Sequence, residues 1–566
     1  MLSIKTIRLP RRFNAGNIRS MKTLTFRIPT KDLKKKAKSV ETDPDLTWPI
    51  IKDIIPKKAG QDASNLTLDE QRALRTLKGR SSGQLPIPVA KIEPSPYEYY
   101  CTVNEDSSHI TQPRLSVTKL LVLGWCELRE FYGVFSGLHT KRTARLRTGV
   151  NHHEKLEKKS HPRLDAKKVD KEVKQASETH TKEELAVLFS TKMAHQLASA
   201  WSERVVTRLV EMAHTKQLRE IQVHGFLNLE TGVLAADVEA VADSVLVNGI
   251  VDIVSLDTQN HTLEEPRYES GEELPPKLKQ KKSEMEQKIL DLSIVIPEAK
   301  NILSKLAEDH YLHTCDVKTR VQNSIPQQAS VLLSARDQCM FYGRFFHLLS
   351  RDELLCYESW LENGRRRLVD PDAPISVGFA TELLLQQFNT LATDFLRLAN
   401  GEPIGFEEFD KLELNSQSCD YSLTDFVTEE KFRELLLELY GPETPYQHLD
   451  LSPLFNSWKK PLTLRYFAAR AAQAFNMFKD FKPGSVSVEY HNTKSNKLVK
   501  RIHYPFSEKS LENTINNSAE FWNGTKLPEG TDDLSKCHWC NFKNRCPVKN
   551  GKENRMFGDR LAKLLD

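Results

Sequence analysis

The chain has 566 residues, of which 39% are hydrophobic and 28% charged, with a formal net charge of +5. That length allows two or more cores, or one elaborated domain with insertions, and no run approaches the roughly 18 apolar residues of a membrane span. The mild positive charge permits a polyanionic partner without requiring one.

Residues 1–31 carry eight basic side chains and no acid, with Leu2, Ile4, Ile7, Leu9 and Phe13 among them. An acid-free, Arg-rich, weakly amphipathic start reads as a mitochondrial presequence, which would place the protein in the matrix. The competing reading is a basic arm that binds nucleic acid or directs nuclear import. The segment 32–109 is charged and rich in Pro and Lys, as expected of a polar extension.

Leu115 to Tyr132 shows a start signal at Ser116 or Thr118 and then helical spacing, which predicts one helix bearing Cys126. His153 and Glu157 are four apart and share a helical face, a spacing that suits a salt bridge as well as a site. Residues 158–183 are Lys- and Glu-rich and read as a solvated insertion. A long amphipathic helix is predicted over 182–216, with Leu185, Leu197, Trp201 and Leu209 on its apolar face.

Two strands joined by a short turn are predicted next. One begins at Glu220 and leads through a turn to a second containing Asp252. Residues 262–286 are Glu-, Lys- and Pro-rich without pattern, as in an insertion between strands of one sheet. In Tyr311–Thr319 the alternation has period two, so Asp316 and Lys318 share one face and Val317 points to the other. An acid in an apolar strand needs a partner, and a divalent cation is a common one. A helix opening at Pro326 and Gln327 would carry Arg336, Gln338 and Tyr342. Residues 350–480 read as largely helical (353–361, 380–399, 429–439 and 462–478), followed by a hairpin over 485–504 and a helix near 507–521.

Nine cysteines, six of them scattered, argue against a secreted disulfide scaffold and for a reducing compartment. The other three form Cys537-x2-Cys540-x5-Cys546, a density that suits zinc or an iron–sulfur cluster. For zinc, His538 or another histidine could complete the set. For an iron–sulfur cube, Cys126 is a candidate, and the link would close a very long loop.

In order, Cys126, Gly149-x3-His153-x3-Glu157, Asp252, Asp316-x-Lys318, Gln338-x3-Tyr342 and the terminal cysteines resemble the RecB-type PD-(D/E)XK nucleases in their iron–sulfur form. Within that branch the chain looks most like the exonuclease V family, single-strand DNA exonucleases with fungal mitochondrial members. Leu115-Ser-Val-Thr-x-Leu-x4-Trp-Cys-Glu, Gly249-Ile-Val-Asp252, Asp316-Val-Lys-Thr-Arg320 and Glu520-Phe-Trp-Asn-Gly-Thr-Lys-Leu-Pro-Glu-Gly530 carry the resemblance, across roughly 110–550. Two positions depart from the pattern: Val251 precedes the first acid, and Lys526 stands where arginine is expected.

The resemblance implies an α/β restriction-endonuclease-like core, a central mixed sheet flanked by helices. Helical insertions and an iron–sulfur staple joining its N- and C-terminal parts would elaborate it, and 551–566 would form a tail. It implies a Mg²⁺- or Mn²⁺-dependent exonuclease that hydrolyses single-stranded DNA in the 5′–3′ direction, acting in mitochondrial DNA maintenance and repair. Asp252, Asp316, the Val317 carbonyl and His153 would hold the metal, and Glu157 would ligate it or hold a bound water. Lys318 would position the attacking water, Gln338 and Tyr342 would line the DNA path, and Arg320 and Arg336 would contact phosphates. Cys126, Cys537, Cys540 and Cys546 would hold a 4Fe–4S cluster. A single-strand DNA-binding protein is an expected accessory partner, with no membrane association and a monomeric chain. A catalytically silent, metal-stapled single-strand binder is the alternative. No Gly-x4-Gly-Lys-Ser/Thr phosphate loop occurs in the sequence, so no motor motif accompanies the nuclease signature.

Overall fold

A computed structural model describes Leu85 and residues 94–549, apart from 106–113, 137–143, 161–165, 237–242, 259–266, 270–287, 413–419 and 442–448. The basic N-terminal arm, most of the polar extension, nearly all of the 262–286 insertion and the 551–566 tail lie outside the described residues.

The organising element is one mixed sheet in the order β3-β2-β4-β6-β7-β8-β5, with β1 attached in parallel to β4. Its strands are β1 Leu115–Ser116, β2 Gln217–Asn228, β3 Leu234–Ala235, β4 Ser244–Thr258, β5 Arg267–Glu269, β6 His310–Arg320, β7 Pro483–Asn492 and β8 Leu498–Pro505. β4 pairs antiparallel with both β2 and β6. β6 and β7 are parallel, and the long helical region between them supplies the crossover that parallel pairing needs.

The helix Ala329–Arg351 lies against β2, β6 and β7 with Cys339, Phe341, Phe345 and Leu349 fully buried. Behind it the helix Glu353–Arg365 packs on Leu464–Asn476, whose Ala468, Ala469, Ala471 and Ala472 allow close approach. On the other side, the helix Ala144–Ser160 crosses β2 and β6, with Leu156 against Ile253, Cys315 and Val317. Helices on both faces leave little room for polar side chains inside the sheet, so those found there carry information.

The N- and C-terminal parts of the described chain are tied together. Trp522 Nε1 donates to the Lys119 carbonyl at 3.1 Å, and Leu128 N donates to the Glu529 carbonyl at 3.1 Å. Buried Glu127 accepts from Lys526 Nζ at 2.7 Å and from Glu529 N at 2.9 Å. Lys526, the departure from arginine, therefore serves as the counter-ion of a buried acid.

Several sequence expectations are corrected. The stretch from Leu115 is not one helix: Leu115–Ser116 pairs with β4, and short turns lead past Gly124 to a helix that begins at Glu127, leaving Cys126 just before it. A Cβ on Gly124 would sit 2.3 Å from Ser334 Oγ, so this turn exists to let two segments touch. The 158–183 stretch is not a loop. Ala144–Ser160 extends into it, and Ala166–Ser177 buries Val169 and Ala176 against Val377–Gln386, an apolar stripe at helical spacing within a charged composition. The long 182–216 helix breaks after Leu188, where Phe189 packs on Phe379 and Thr191 Oγ1 meets Ser376 Oγ at 2.7 Å. Its middle, Ser202–Thr207, is π-helical. The 380–399 helix divides at Gln387, whose side chain accepts from Ser202 Oγ at 2.8 Å. Within the 262–286 insertion, Arg267–Glu269 pairs with β8. The helix after β6 starts at Ala329 rather than Pro326.

Candidate active site and cysteine cluster

The β2–β4 ladder pairs Arg219 with Ile253 and Ile221 with Val251, so Glu220 stands opposite Asp252. The β4–β6 ladder ends at Ile253 with Cys315, so Asp316 is the next residue to face Asp252. Three carboxylates thus occupy one row across β2, β4 and β6, where direct cross-strand neighbours share a face. The row sits where regular pairing stops. Glu220 has a φ of +58°, in the left-handed region that L-residues avoid, and so is missing from its ladder. Asp252 Oδ2 accepts from Val317 N at 2.6 Å, which replaces the interrupted ladder bond.

His153, Glu220 and Asp252 bring ligand atoms within 4.8 Å of one another. His153 Nδ1 is 3.7 Å from Asp252 Oδ1. Burial, with the Asp316 charge added, holds the Asp252 carboxyl well above its ordinary range. Burial and then Glu157 raise Glu220, while burial lowers His153 against the pull of Asp316. Each shift disfavours the ligating charge state of the acids or keeps the imidazole neutral. A hard divalent cation would reverse the penalty on the acids, and one imidazole with carboxylate oxygens suits Mg²⁺ or Mn²⁺. The donor set therefore fits such an ion.

Asp316 is 3% exposed and pairs with Lys318 Nζ at 2.8 Å, as same-face neighbours on β6 should. Lys318 Nζ also donates to Gln338 Oε1 at 2.8 Å, and Gln338 Nε2 donates to the Tyr342 hydroxyl at 2.8 Å. Burial works against the Lys318 charge, but Asp316 outweighs it and the ammonium is retained. Its side chain is still 37% exposed, so it can meet a substrate. Gln338 and Tyr342 are thus buried members of a polar chain that ends on Lys318. Tyr342 fits because Gly249 has no side chain: a Cβ there would sit 2.5 Å from Tyr342 Cε1.

The remaining candidates are placed as follows. Glu157 is ion-paired with buried Arg208, and Glu220 stands in the cluster instead. Val317 sends its side chain to Ile253, Cys315 and Leu156 and its N–H to Asp252. Arg336 is engaged by Asp337 and by Ser510 Oγ at 2.6 Å. Arg320 ends β6, where its carbonyl accepts from Thr493 N at 2.8 Å. The residue missed by sequence reasoning is Glu220. Its signal was present, an acid opening an apolar strand, but the row that makes it meaningful depends on register.

Cys126, Cys537, Cys540 and Cys546 line one small cavity together with Tyr132 and Phe542. Cys537 lies in the turn Leu534–Trp539, Cys540 caps it, and Phe542 N donates to Cys540 Sγ at 3.4 Å. Burial, then the neighbouring Cys126, Cys546 and Cys540, push the Cys537 thiol up to about 11. Thiolates so arranged repel one another unless a cation compensates, so the four sulfurs fit a metal or cluster. His538 is not among the lining residues, which leaves Cys126 as the fourth sulfur of the set.

A partly buried row of acids with an imidazole at one side and a fixed ammonium at the other is equipment for hydrolysing phosphate esters. Comparison with known proteins agrees: residues 108–548 match the family described as "Exonuclease V - a 5' deoxyribonuclease". The chain belongs to the exonuclease V family. It is 37% identical over 508 residues to "Exonuclease V, mitochondrial" of Clavispora lusitaniae, covering 88% of this chain and 97% of that protein. The protein of the same name from Candida albicans is 35% identical over 507 residues, covering 83% of this chain and 78% of its own. That from Debaryomyces hansenii is 31% identical over 549 residues, with 88% and 86% covered.

Proposed function

We propose that this chain is a mitochondrial exodeoxyribonuclease that hydrolyses single-stranded DNA from 5′ ends, depends on a divalent metal, and is stapled by a 4Fe–4S cluster. The family and the names of its relatives support the exodeoxyribonuclease and mitochondrial parts. The observation that carries the chemistry is the row Glu220, Asp252, Asp316 beside an ammonium fixed by Asp316 and Gln338. Acids on adjacent strands with a lysine two residues beyond the second one also support a PD-(D/E)XK core. That core would span 110–550, elaborated by its helical insertions.

His153, Glu220 and Asp252 would hold Mg²⁺ or Mn²⁺, with Asp316 beside them. Such an ion supplies charge neutralisation at phosphate oxygens and a more acidic water. The protein's own part is positional. Lys318, with one end reachable and the other bonds fixed, hydrogen-bonds the attacking water or a non-bridging oxygen and stabilises charge that grows in the transition state. Water oxygen bonds to phosphorus as the bond to the leaving oxygen breaks; the attacking water gives up a proton to solvent, and solvent supplies one to the leaving oxygen. Gln338, itself held by the Tyr342 hydroxyl, accepts from the ammonium and fixes its orientation beside Asp316.

The four cysteines would bind the cluster and join segments more than four hundred positions apart in sequence, as the Cys126 Sγ contact to the Glu529 carbonyl suggests. Its role would be structural, because hydrolysis transfers no electrons.

One panel tests the reading: linear and circular single strands, labelled at 5′ or 3′ ends, digested with and without Mg²⁺. The expected result is metal-dependent loss of the 5′ label from linear strands only, abolished in Asp316→Ala with DNA binding retained. Cleavage of circles would overturn exonuclease action, and full activity in the variant would remove the assignment of Asp316. Binding without cleavage by the wild type would make the chain a silent single-strand binder.

A further inference from the structure

Arg365, Arg366 and Arg367 follow one another at the end of the helix Glu353–Arg365, and their partners differ. Arg365 reaches Glu358 and Glu362, while Arg366 Nε donates to Glu362 Oε1 at 2.7 Å and its Nη1 to the Ser244 carbonyl at 2.7 Å. Half-buried Arg367 meets no carboxylate within ion-pair distance among the described residues. Its Nε donates to the Asn363 side-chain oxygen at 2.8 Å and its Nη2 to the Asn248 side-chain oxygen at 3.1 Å. Asn363 is fully buried and donates to the same Asn248 oxygen at 3.4 Å. With two donors on Asn248 Oδ1, its Nδ2 is the donor end of that amide, and it is buried without an acceptor. The backbone that carries Arg367 is also fixed. Arg367 N and Val369 N both donate to the Gly364 carbonyl, at 2.9 and 3.1 Å, and Leu368 between them has a φ of +58°.

A second arginine stands beside this one. Ser116 of β1 lies opposite Asn248, so the chain entering β1 brings exposed Arg114 to the same place. Burial, then the charge of Arg114, push the Arg367 guanidinium down to about 9. Two guanidinium groups and an amide N–H therefore converge where the described residues supply no anion, and a guanidinium fork matches phosphate oxygens two at a time. Asn248 precedes Asp252 by four residues on β4, about 13 Å at the rise of an extended strand. Between the two the strand is open: Asn248, Gly249, Ile250 and Asp252 are partly exposed, whereas Ser244–Val247 are buried.

We propose that Arg114 and Arg367 form a backbone-phosphate subsite that holds the DNA strand on the Asn248 side of the acid row. Arg367 is its fixed member, aimed by Asn248 and Asn363, and Arg114 closes on the same phosphate from β1. The subsite rests on the nuclease reading above, and it adds the course that the strand takes along β4 from the reacting centre. Contacts of this kind position the strand without reading its sequence.

The test uses the full chain in metal-free buffer, with a fluorescein-labelled oligothymidine titrated at several salt concentrations and the thermal midpoint of each variant measured alongside. Arg114 is exposed, so Arg114→Gln is expected to keep the wild-type midpoint and to lower the steepness of log K against log salt by about 0.7, the loss of one phosphate contact on a single strand. Arg114→Gln/Arg367→Gln is expected to lower it by about 1.4. Arg365→Gln, which removes the same charge from a side chain already paired with Glu358 and Glu362, is expected to leave the slope unchanged. A wild type that cleaves DNA but whose slope Arg114→Gln does not move overturns the subsite alone. An equal fall in Arg365→Gln also overturns it, because the slope would then report total charge. A wild type whose slope responds as expected but which cleaves nothing with any divalent metal upholds the subsite and overturns the nuclease reading.

Discussion

Tyr342→Phe isolates one atom of the polar chain that holds Lys318. The ring is 5% exposed and seated over Gly249, so the phenyl group is expected to keep its place. Only the acceptor for Gln338 Nε2 is lost, from a bond of 2.8 Å. A buried donor left without an acceptor costs about 1–3 kcal/mol. Gln338 can recover part of this by rotating, and rotation releases Lys318 Nζ, which Gln338 Oε1 holds at 2.8 Å. If the whole loss appears in the transition state, kcat falls roughly 5- to 150-fold. The assay is kcat on a labelled single strand at saturating Mg²⁺, with the thermal midpoint and iron content measured on the same sample. A kcat within about twofold of wild type in a folded protein would refute the argument that Tyr342 acts through Gln338. Gly249→Ala gives an independent check: its Cβ would press on the ring, so it should lower kcat in the same direction.

Glu220→Gln keeps the shape of the acid row but removes a charge, and is expected to raise the Mg²⁺ concentration for half-maximal activity by more than about 10-fold, the low end for losing even an outer partner. An unchanged metal titration would exclude Glu220 from the metal site. Cys546→Ser is expected to give a colourless protein with less iron and a lower thermal midpoint. Stoichiometric zinc without iron in anaerobically prepared wild type would refute the cluster. Glu489 supplies a pH dependence. Burial raises its pKa, but His491, with Nε2 at 2.8 Å, and Arg501, with Nε at 2.8 Å, outweigh burial and bring it down to about 2. Because the folded pKa is depressed, the stabilisation is complete above the ordinary value of 4.5 and disappears as pH falls from there through about 2. Its full size is about 3 kcal/mol. Urea unfolding should show Glu489→Gln less stable than wild type by about that amount at neutral pH, with the gap closing in acid; a gap that does not change with pH would refute the assignment.

The sequence by itself determined the elements whose pattern is local. Alternation in Tyr311–Thr319 placed Asp316 and Lys318 on one face, and the 2.8 Å contact between them follows from that periodicity. Spacing of four put Gln338 beside Tyr342, and the hairpin near 485–504 is legible in its alternating residues and turn. The density of Cys537, Cys540 and Cys546 likewise announced a soft-ligand cluster. Tertiary structure decided the rest, because the deciding contacts join residues that no local pattern connects. Glu157 has the right helical spacing from His153 but meets Arg208, while Glu220 reaches the acid row through a register that depends on β4 pairing with both β2 and β6. The Lys- and Glu-rich 166–177 stretch looked solvated by composition, yet one apolar stripe suffices to dock it once Val377–Gln386 presents a matching face. Cys126 joins the other three thiols only because Glu127 is buried against Lys526 and the Glu529 backbone, which brings the two ends of the folded chain together.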